Sequence, residues 1–299
     1  MYSNLLHIIP ADKIKFNEPM RLHTTFKIGG PVDVMVIPDS INDIQRVVSY
    51  CCQENIDFFV FGLGSNLLVR DKGIRGVAIK LGSSLNNIVV DKPRIYCEAG
   101  VRLSRLSKIA AQKGLQGLEF AEGIPGSLGG AVVMNAGAYD GEIKDRLIKV
   151  SALGLEGDIK DFYPREMDMG YRKSIFQSNG YIIISALLEL KPGNTEDIHQ
   201  KMRDFASKRR QNQPLEYPSA GSTFKRPEGF YVGPMVEKMG LKGYRIGGAE
   251  VSTKHAGFII NTGNATANDV LKLIEYIQKK AKEDFQVELH PELKVIGEA

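Results

Sequence analysis

Residues 119–143, EFAEGIPGSLGGAVVMNAGAYDGEI, place Gly123, Gly126, Gly129, Gly130 and Gly137 among small side chains, with Pro125 fixing one bend. Each interior glycine weakens a helix by about 1 kcal/mol relative to alanine. The stretch is therefore expected to avoid helix and to run as a wall of bare backbone. Two uses fit such a wall: close approach to a flat or phosphorylated ligand, or a tight crossover between domains. Ser127 and Asn135 add side-chain hydrogen bonds within it.

A second, shorter loop lies upstream. Phe61-Gly62-Leu63-Gly64-Ser65-Asn66 follows a β-rich run, and its exposed N–H groups can cradle a phosphate. It lacks the third glycine and the long following helix of a dinucleotide fingerprint. It also lacks the Gly-Lys-Ser/Thr ending of a phosphate-binding P-loop. Taken alone it reads more readily as a structural β-turn.

Composition narrows the function classes. At 299 residues, two or three domains are expected, and 43% hydrophobic with 25% charged residues fits a globular chain with a sizeable core. A net charge of +4, dispersed along the chain, is too weak for a nucleic-acid binder, though it suits a substrate bearing phosphates or carboxylates. The three cysteines are Cys51, Cys52 and Cys97. Their odd count, and the adjacency of two of them, argue against disulfides and indicate a reducing compartment. Cys51 and Cys52 fall in a helical pattern and are expected to pack inside. No metal-ligand spacing, membrane span or signal peptide is read, so a cytoplasmic location is expected.

Periodicity gives an α+β chain. A strand is expected at 32–37, then a helix over 41–54 capped by Ser40. Short strands follow at 77–81, 86–91 and 94–98. A helix over 102–114 ends on Gly114. Beyond the glycine stretch, strands are expected near 146–153, 158–163 and 181–190. A helix over about 196–211 carries Lys208, Arg209 and Arg210 in its last turns, where they suit the helix dipole. After Pro214 and Pro218 come a short helix near 232–239, a strand at 257–260, and a helix near 267–284 with Thr266 and Asp269 as a capping box. The chain closes on a β-like VELHPELKVIG.

The two glycine loops, in this order, resemble those of the UDP-N-acetylenolpyruvoylglucosamine reductase family. Further motifs extend the likeness over nearly the whole chain: His23-Thr24-Thr25-Phe26-Lys27-Ile28-Gly29-Gly30, Gly170-Tyr171-Arg172-Lys173-Ser174, Ala220-Gly221-Ser222-Thr223-Phe224-Lys225, His255-Ala256-Gly257-Phe258-Ile259-Ile260-Asn261 and Pro291-Glu292-Leu293. The span after Gly221 is compact, so the chain looks like the shorter form of the family, without its tyrosine-bearing loop.

The resemblance implies a two-domain FAD-binding fold of the vanillyl-alcohol-oxidase type plus a smaller α+β substrate domain. The implied divisions are 1–95, 96–205 and 206–299, with a site completed across the domains. It implies non-covalent FAD, NADPH as hydride donor, UDP-N-acetylglucosamine enolpyruvate as substrate, and a monomer free of nucleic acid and membrane. Arg172 matches the family's catalytic arginine, whose planar fork holds a carboxylate as charge develops. Ser222 matches the proton donor, and Glu292 a carboxyl that hydrogen-bonds or protonates the enolate oxygen. Gly62, Gly64, Ser65, Asn66, Gly123, Pro125, Gly126, Ser127, Gly129, Gly130 and Asn135 are the implied cofactor contacts. Tyr171, Lys225, Lys254 and Asn261 are candidates for substrate contacts. Two rivals stand beside this reading: another FAD-dependent oxidoreductase of the same fold, such as an oxidase, and a non-catalytic nucleotide-binding protein. Only the second would be colourless when purified.

Overall fold

The computed structural model describes residues 2–82 and 85–299. The chain divides into two compact units, one of Met1–Phe16, Val34–Leu63 and Gly76–Arg209, the other of Asn17–Asp33, Gly64–Arg75 and Arg210–Ala299. Each unit has its own apolar core. Helices and strands are mixed throughout, as an α+β fold requires.

Two larger sheets are built mostly from strands of the first unit. One has four strands in the order β1-β2-β5-β3, made of β1 (Ile14–Pro19), β2 (Pro31–Val36), β3 (Phe58–Phe61) and β5 (Ile74–Lys80). β3 and β5 pair in parallel, which requires a crossover between them. Helix α1 (Ile41–Gln53) precedes β3 in the chain; Ser40 Oγ accepts the Asp43 N–H at its start, as expected for an N-cap. Its buried face, Ile44, Val47, Val48 and Cys51, joins the core that includes Val34, Val36, Val77 and Ile79. Cys52, in contrast, is exposed. Successive helical residues lie about 100° apart around the axis, so the expectation that both cysteines pack inside holds for Cys51 alone.

The second sheet of this unit has five strands. Their order is Ile159–Phe162, Leu147–Leu153, Ile182–Glu189, β7 (Arg94–Glu98) and β6 (Ile88–Asp91). All four pairings are antiparallel. Residue 95, where a domain boundary is expected from sequence, lies within β7. Because β7 is hydrogen-bonded to Ile182–Glu189, β6 and β7 belong to this sheet.

Helix α2 (Leu103–Gln112) buries Leu103, Leu106, Ala110 and Ala111, and Gly114 follows it at φ +66°. The glycine stretch then departs from expectation, for it contains a helix, α3 (Leu128–Met134). Packing explains why the glycines are accepted there. A Cβ on Gly129 would lie 3.0 Å from the Ala99 Cβ, so the bare backbone lets this helix lie close to the end of β7 without displacing it. Ser127 caps its start and Asn135, at φ +43°, its end. Helix α4 (Thr195–Asn212) follows, and this unit's last residue, Arg209, lies within it.

The second unit contains β4 (Leu67–Val69), which pairs in parallel with Lys294–Ile296. It also holds a three-stranded antiparallel sheet of Arg245–Ile246, Ala249–Val251 and Ile259–Asn261. Helices α5 (Val232–Lys238) and α6 (Ala267–Phe285) bury Val232, Met235, Val236, Val270, Leu273, Ile274 and Ile277 in its core. Thr266 and Asp269 form the expected capping box. Asp71 adds a second cap by accepting the N–H groups of Ala267 and Asn268. Of the β-like C-terminal run, Lys294–Ile296 is strand and Pro291 forms one bridge with Phe224.

Candidate active site

In the second unit, antiparallel pairing brings two distant motifs together. Phe224 bridges Pro291, and Lys225 N–H donates to the His290 carbonyl at 2.8 Å. Glu292 N–H donates to the Thr223 carbonyl, also at 2.8 Å. Glu292 is thereby set beside Thr223, and Ser222 is the preceding residue. Ser222 Oγ lies 3.4 Å from the Phe224 carbonyl, a long contact that holds the hydroxyl weakly. Thr223 is fixed more firmly. Its N–H donates to the Gly257 carbonyl, and its Oγ1 accepts the Ile259 N–H at 3.0 Å.

Asn66, from the first glycine loop, is attached to the same structure. Its Nδ2 donates to the Glu292 carbonyl at 3.1 Å, and its own carbonyl accepts the Lys294 N–H at 2.9 Å. Gly64 at φ +63° accepts the Thr25 N–H, which joins the loop to the His23–Gly30 motif. Lys254 pairs with Glu216 at 3.5 Å. Asn261 is 4% exposed; its amide donates to the Phe26 carbonyl and accepts the N–H groups of Gly263 and Ala265. Those bonds spend its side chain on shaping the turn before α6. His255 lies in the motif that ends on Asn261. Its Nδ1 accepts the Gly257 N–H at 3.1 Å, which leaves Nε2 as the protonated nitrogen of the neutral ring. Burial pushes its pKa down, and the nearby Lys242 charge acts the same way.

In the first unit, Arg172 stands at the tip of a turn closed by two hydrogen bonds between Gly170 and Lys173. Its Nη2 donates to the Gly137 carbonyl at 3.1 Å, and its guanidinium carbon lies 4.9 Å from the Tyr171 ring centre. Tyr171 is 48% exposed. Asn135 is wholly buried beneath this turn.

The second glycine loop is held by a residue that sequence reasoning missed. Arg209, assigned to the helix dipole, is instead 7% exposed, and its Nη1 donates to the Gly123 carbonyl. Burial draws its pKa down. Its helical position carries no sign of this, because only folding brings the end of α4 to residue 123. Beside it, Tyr139 stacks on Phe205 with ring centres 4.3 Å apart.

Two features mark the glycine loops, a close contact and a buried donor without a partner. A Cβ on Gly62 would sit 2.3 Å from Ser127 Oγ, so the loops meet backbone to side chain with no room for a larger residue. At Gly123, the buried Arg209 Nε has no hydrogen-bond partner among the described residues, and neither does Glu122 Oε2. Among the described residues no cluster of His, Cys, Asp and Glu could hold a metal, and no helix is long and apolar enough to cross a membrane. A cleft of about 560 Å³ lies elsewhere in the first unit, lined in part by Lys92, Arg146, Glu189 and Lys191. It contains none of the residues singled out from sequence.

Similarity to known proteins extends over the whole chain. The family profile of the UDP-N-acetylenolpyruvoylglucosamine reductase C-terminal domain matches residues 213–296, and that of an FAD binding domain matches residues 32–163. The chain is 61% identical over 298 residues to the UDP-N-acetylenolpyruvoylglucosamine reductase of Syntrophomonas wolfei, covering 100% of both chains. It is 53% identical to that of Caldanaerobacter subterraneus, covering 100% of this chain and 98% of the relative. The crystal structure of the Thermus caldophilus enzyme superposes with a TM-score of 0.81 at 34% identity, over 94% of this chain and 97% of that one.

Proposed function

This chain belongs to the UDP-N-acetylenolpyruvoylglucosamine reductase family, and on that premise we propose how its own residues carry out the reduction of UDP-N-acetylglucosamine enolpyruvate to UDP-N-acetylmuramate in peptidoglycan precursor synthesis. The protein is an FAD-dependent oxidoreductase. When bound by the glycine loops, FAD would supply the chemistry of hydride transfer from NADPH to the terminal carbon of the enolpyruvyl group.

The remaining demands fall on the chain. As that carbon accepts hydride, negative charge moves toward the substrate carboxylate. Arg172 grips the carboxylate with paired N–H donors, an interaction that strengthens as the charge grows. Glu292 hydrogen-bonds the developing enolate oxygen. Ser222 gives its hydroxyl proton to the neighbouring carbon. A serine is a poor acid, yet the carbanion-like acceptor is more basic still, so the transfer runs downhill. Lys225 is suited to steady the resulting alkoxide or a substrate phosphate, while Tyr171 and Lys254 are suited to line the substrate's path.

FAD is held without a covalent bond by the two glycine loops, through Gly62, Gly64, Ser65, Asn66, Gly123, Pro125, Gly126, Ser127, Gly129 and Gly130. We divide the chain functionally at about 95 and 205 into two FAD-binding portions and a substrate domain, and place the protein in the cytoplasm as a monomer. The observation that carries the mechanistic reading is the Glu292 N–H bond to the Thr223 carbonyl, which sets the proposed proton donor and the proposed carboxyl on paired backbone.

The test is spectroscopic. Purified protein should be yellow, bleach on addition of NADPH without oxygen, and recolour on addition of the enolpyruvyl sugar. Ser222→Ala should still bleach but recolour about 10²–10⁴-fold more slowly. Rapid NADPH turnover that ignores the sugar would instead mark an oxidase.

A further inference from the structure

The turn that carries Arg172 is held in an unfavourable shape. Arg172 has φ +52°, a left-handed conformation that costs a residue with a side chain about 1–2 kcal/mol. Such a conformation persists only where its surroundings fix it. Here two side-chain amides do so. Asn135 Nδ2 donates to the Gly170 carbonyl at 2.8 Å, and Gln177 Nε2 donates to the Arg172 carbonyl at 3.0 Å. Gln177 also donates to the Val133 carbonyl at 3.2 Å, and Ser174 Oγ reaches the same carbonyl at 2.7 Å.

Both amides tie the turn to one place, the last turn of α3. Asn135 is the C-cap of that helix. Its remaining bonds, to Glu142 Oε2 at 3.1 Å and from the Lys144 N–H at 3.2 Å, fasten the cap to residues 142–144. Both atoms of its amide group are thus engaged within the protein. The side chain expected from sequence to touch the cofactor is committed to the turn instead.

We propose that Asn135 and Gln177 are positioning residues for Arg172, aiming its guanidinium by pinning the carbonyls of Gly170 and Arg172 to the end of α3. The proposal rests on the reading of Arg172 as the group that grips the substrate carboxylate. Neither amide touches substrate. Their effect is to fix the direction of a donor whose misplacement by about 1 Å can cost about 100-fold in rate.

Gln177 is exposed, so its substitution should leave folding intact. Gln177→Glu keeps the size and removes the donor; Gln177→Ala removes both. In each FAD-loaded protein, the flavin is reduced with dithionite without oxygen. Reoxidation is then timed with UDP-N-acetylglucosamine enolpyruvate and, separately, with dioxygen, which needs no carboxylate grip. The expected result in both variants is a slowing of about 10–100-fold with the sugar, unchanged reoxidation by dioxygen and unchanged FAD content. Asn135→Asp, which exchanges a donor for an acceptor, should give the same pattern, and the Gln177 variants decide the matter if that buried change prevents folding. Wild-type rates with the sugar in both Gln177 variants would overturn the proposal, as would equal slowing with dioxygen or loss of FAD. If the wild-type flavin is not reoxidised by the sugar at all, the Arg172 reading fails first and this one with it.

Discussion

Ser127 Oγ occupies the space that a side chain at position 62 would need. A Cβ built on Gly62 would lie 2.3 Å from that oxygen and 3.3 Å from the Ser127 Cβ. To make room, the Ser127 hydroxyl would have to give up its long 3.5 Å capping contact from the Gly130 N–H, and the Ser127 Cβ would still crowd the new methyl. Gly62→Ala is therefore expected to destabilise the protein by about 1–3 kcal/mol, the usual cost of overpacking. Glycine is a tolerable helix cap, so adding Ser127→Gly should recover part of the loss. Urea unfolding of the two variants against the parent measures this, and a double variant less stable than the single one would contradict it.

Arg209 gives a contrast between two truncations. Removing its donor leaves the Gly123 carbonyl short of a partner, which costs about 1–3 kcal/mol. Removing a buried charge and its unpartnered Nε offsets much of that. Arg209→Met should thus change unfolding free energy by less than about 1.5 kcal/mol. Arg209→Ala, which also opens a cavity, should cost at least about 1 kcal/mol more than the Met variant.

The cysteines should react very unequally. Burial pushes the Cys51 thiol up to about 12 and raises that of Cys97 as well, while Cys52 lies exposed near the end of α1. Because the thiolate is the reacting species, a disulfide reagent at mildly alkaline pH should titrate one thiol quickly in the native protein. All three should react in denaturant. Rapid modification of two or more without denaturant would show that Cys51 or Cys97 is more accessible than its burial implies.

His255 should make stability depend on pH in one direction. Its folded pKa lies below the ordinary value near 6.5 because burial disfavours the charged ring. The unfolded chain therefore takes up the proton first as pH falls. The neutral ring's contribution is complete above about pH 7 and is lost as pH drops through 6.5 toward the folded pKa. His255→Gln should flatten the melting-temperature profile between about pH 7 and pH 5. A profile unchanged by the substitution would remove this histidine from the acid response.

Much of the architecture was legible from local pattern. Ser40 and Thr266 cap helices where their spacing predicts, and the apolar faces of α1, α2 and α6 are buried as their periodicity requires. Periodicity and capping are properties of a few neighbouring residues, so they survive without any knowledge of the fold. The motifs around Arg172, Ser222 and Glu292 were legible for a different reason. They form ordered groups whose resemblance to a family covers the chain.

Other features were decided only when the chain folded. Glycine propensity argues against a helix at 128–134, yet the close approach of Gly129 to Ala99 rewards one. From sequence, Arg209 reads as a dipole partner and Asn135 as a cofactor contact, and nothing local singles out Gln177. Their observed partners are the carbonyls of Gly123, Gly170 and Arg172. A side chain's donor capacity is written in the sequence. Which carbonyl receives it depends on backbone brought close by the packing of distant segments, and no local pattern encodes that proximity.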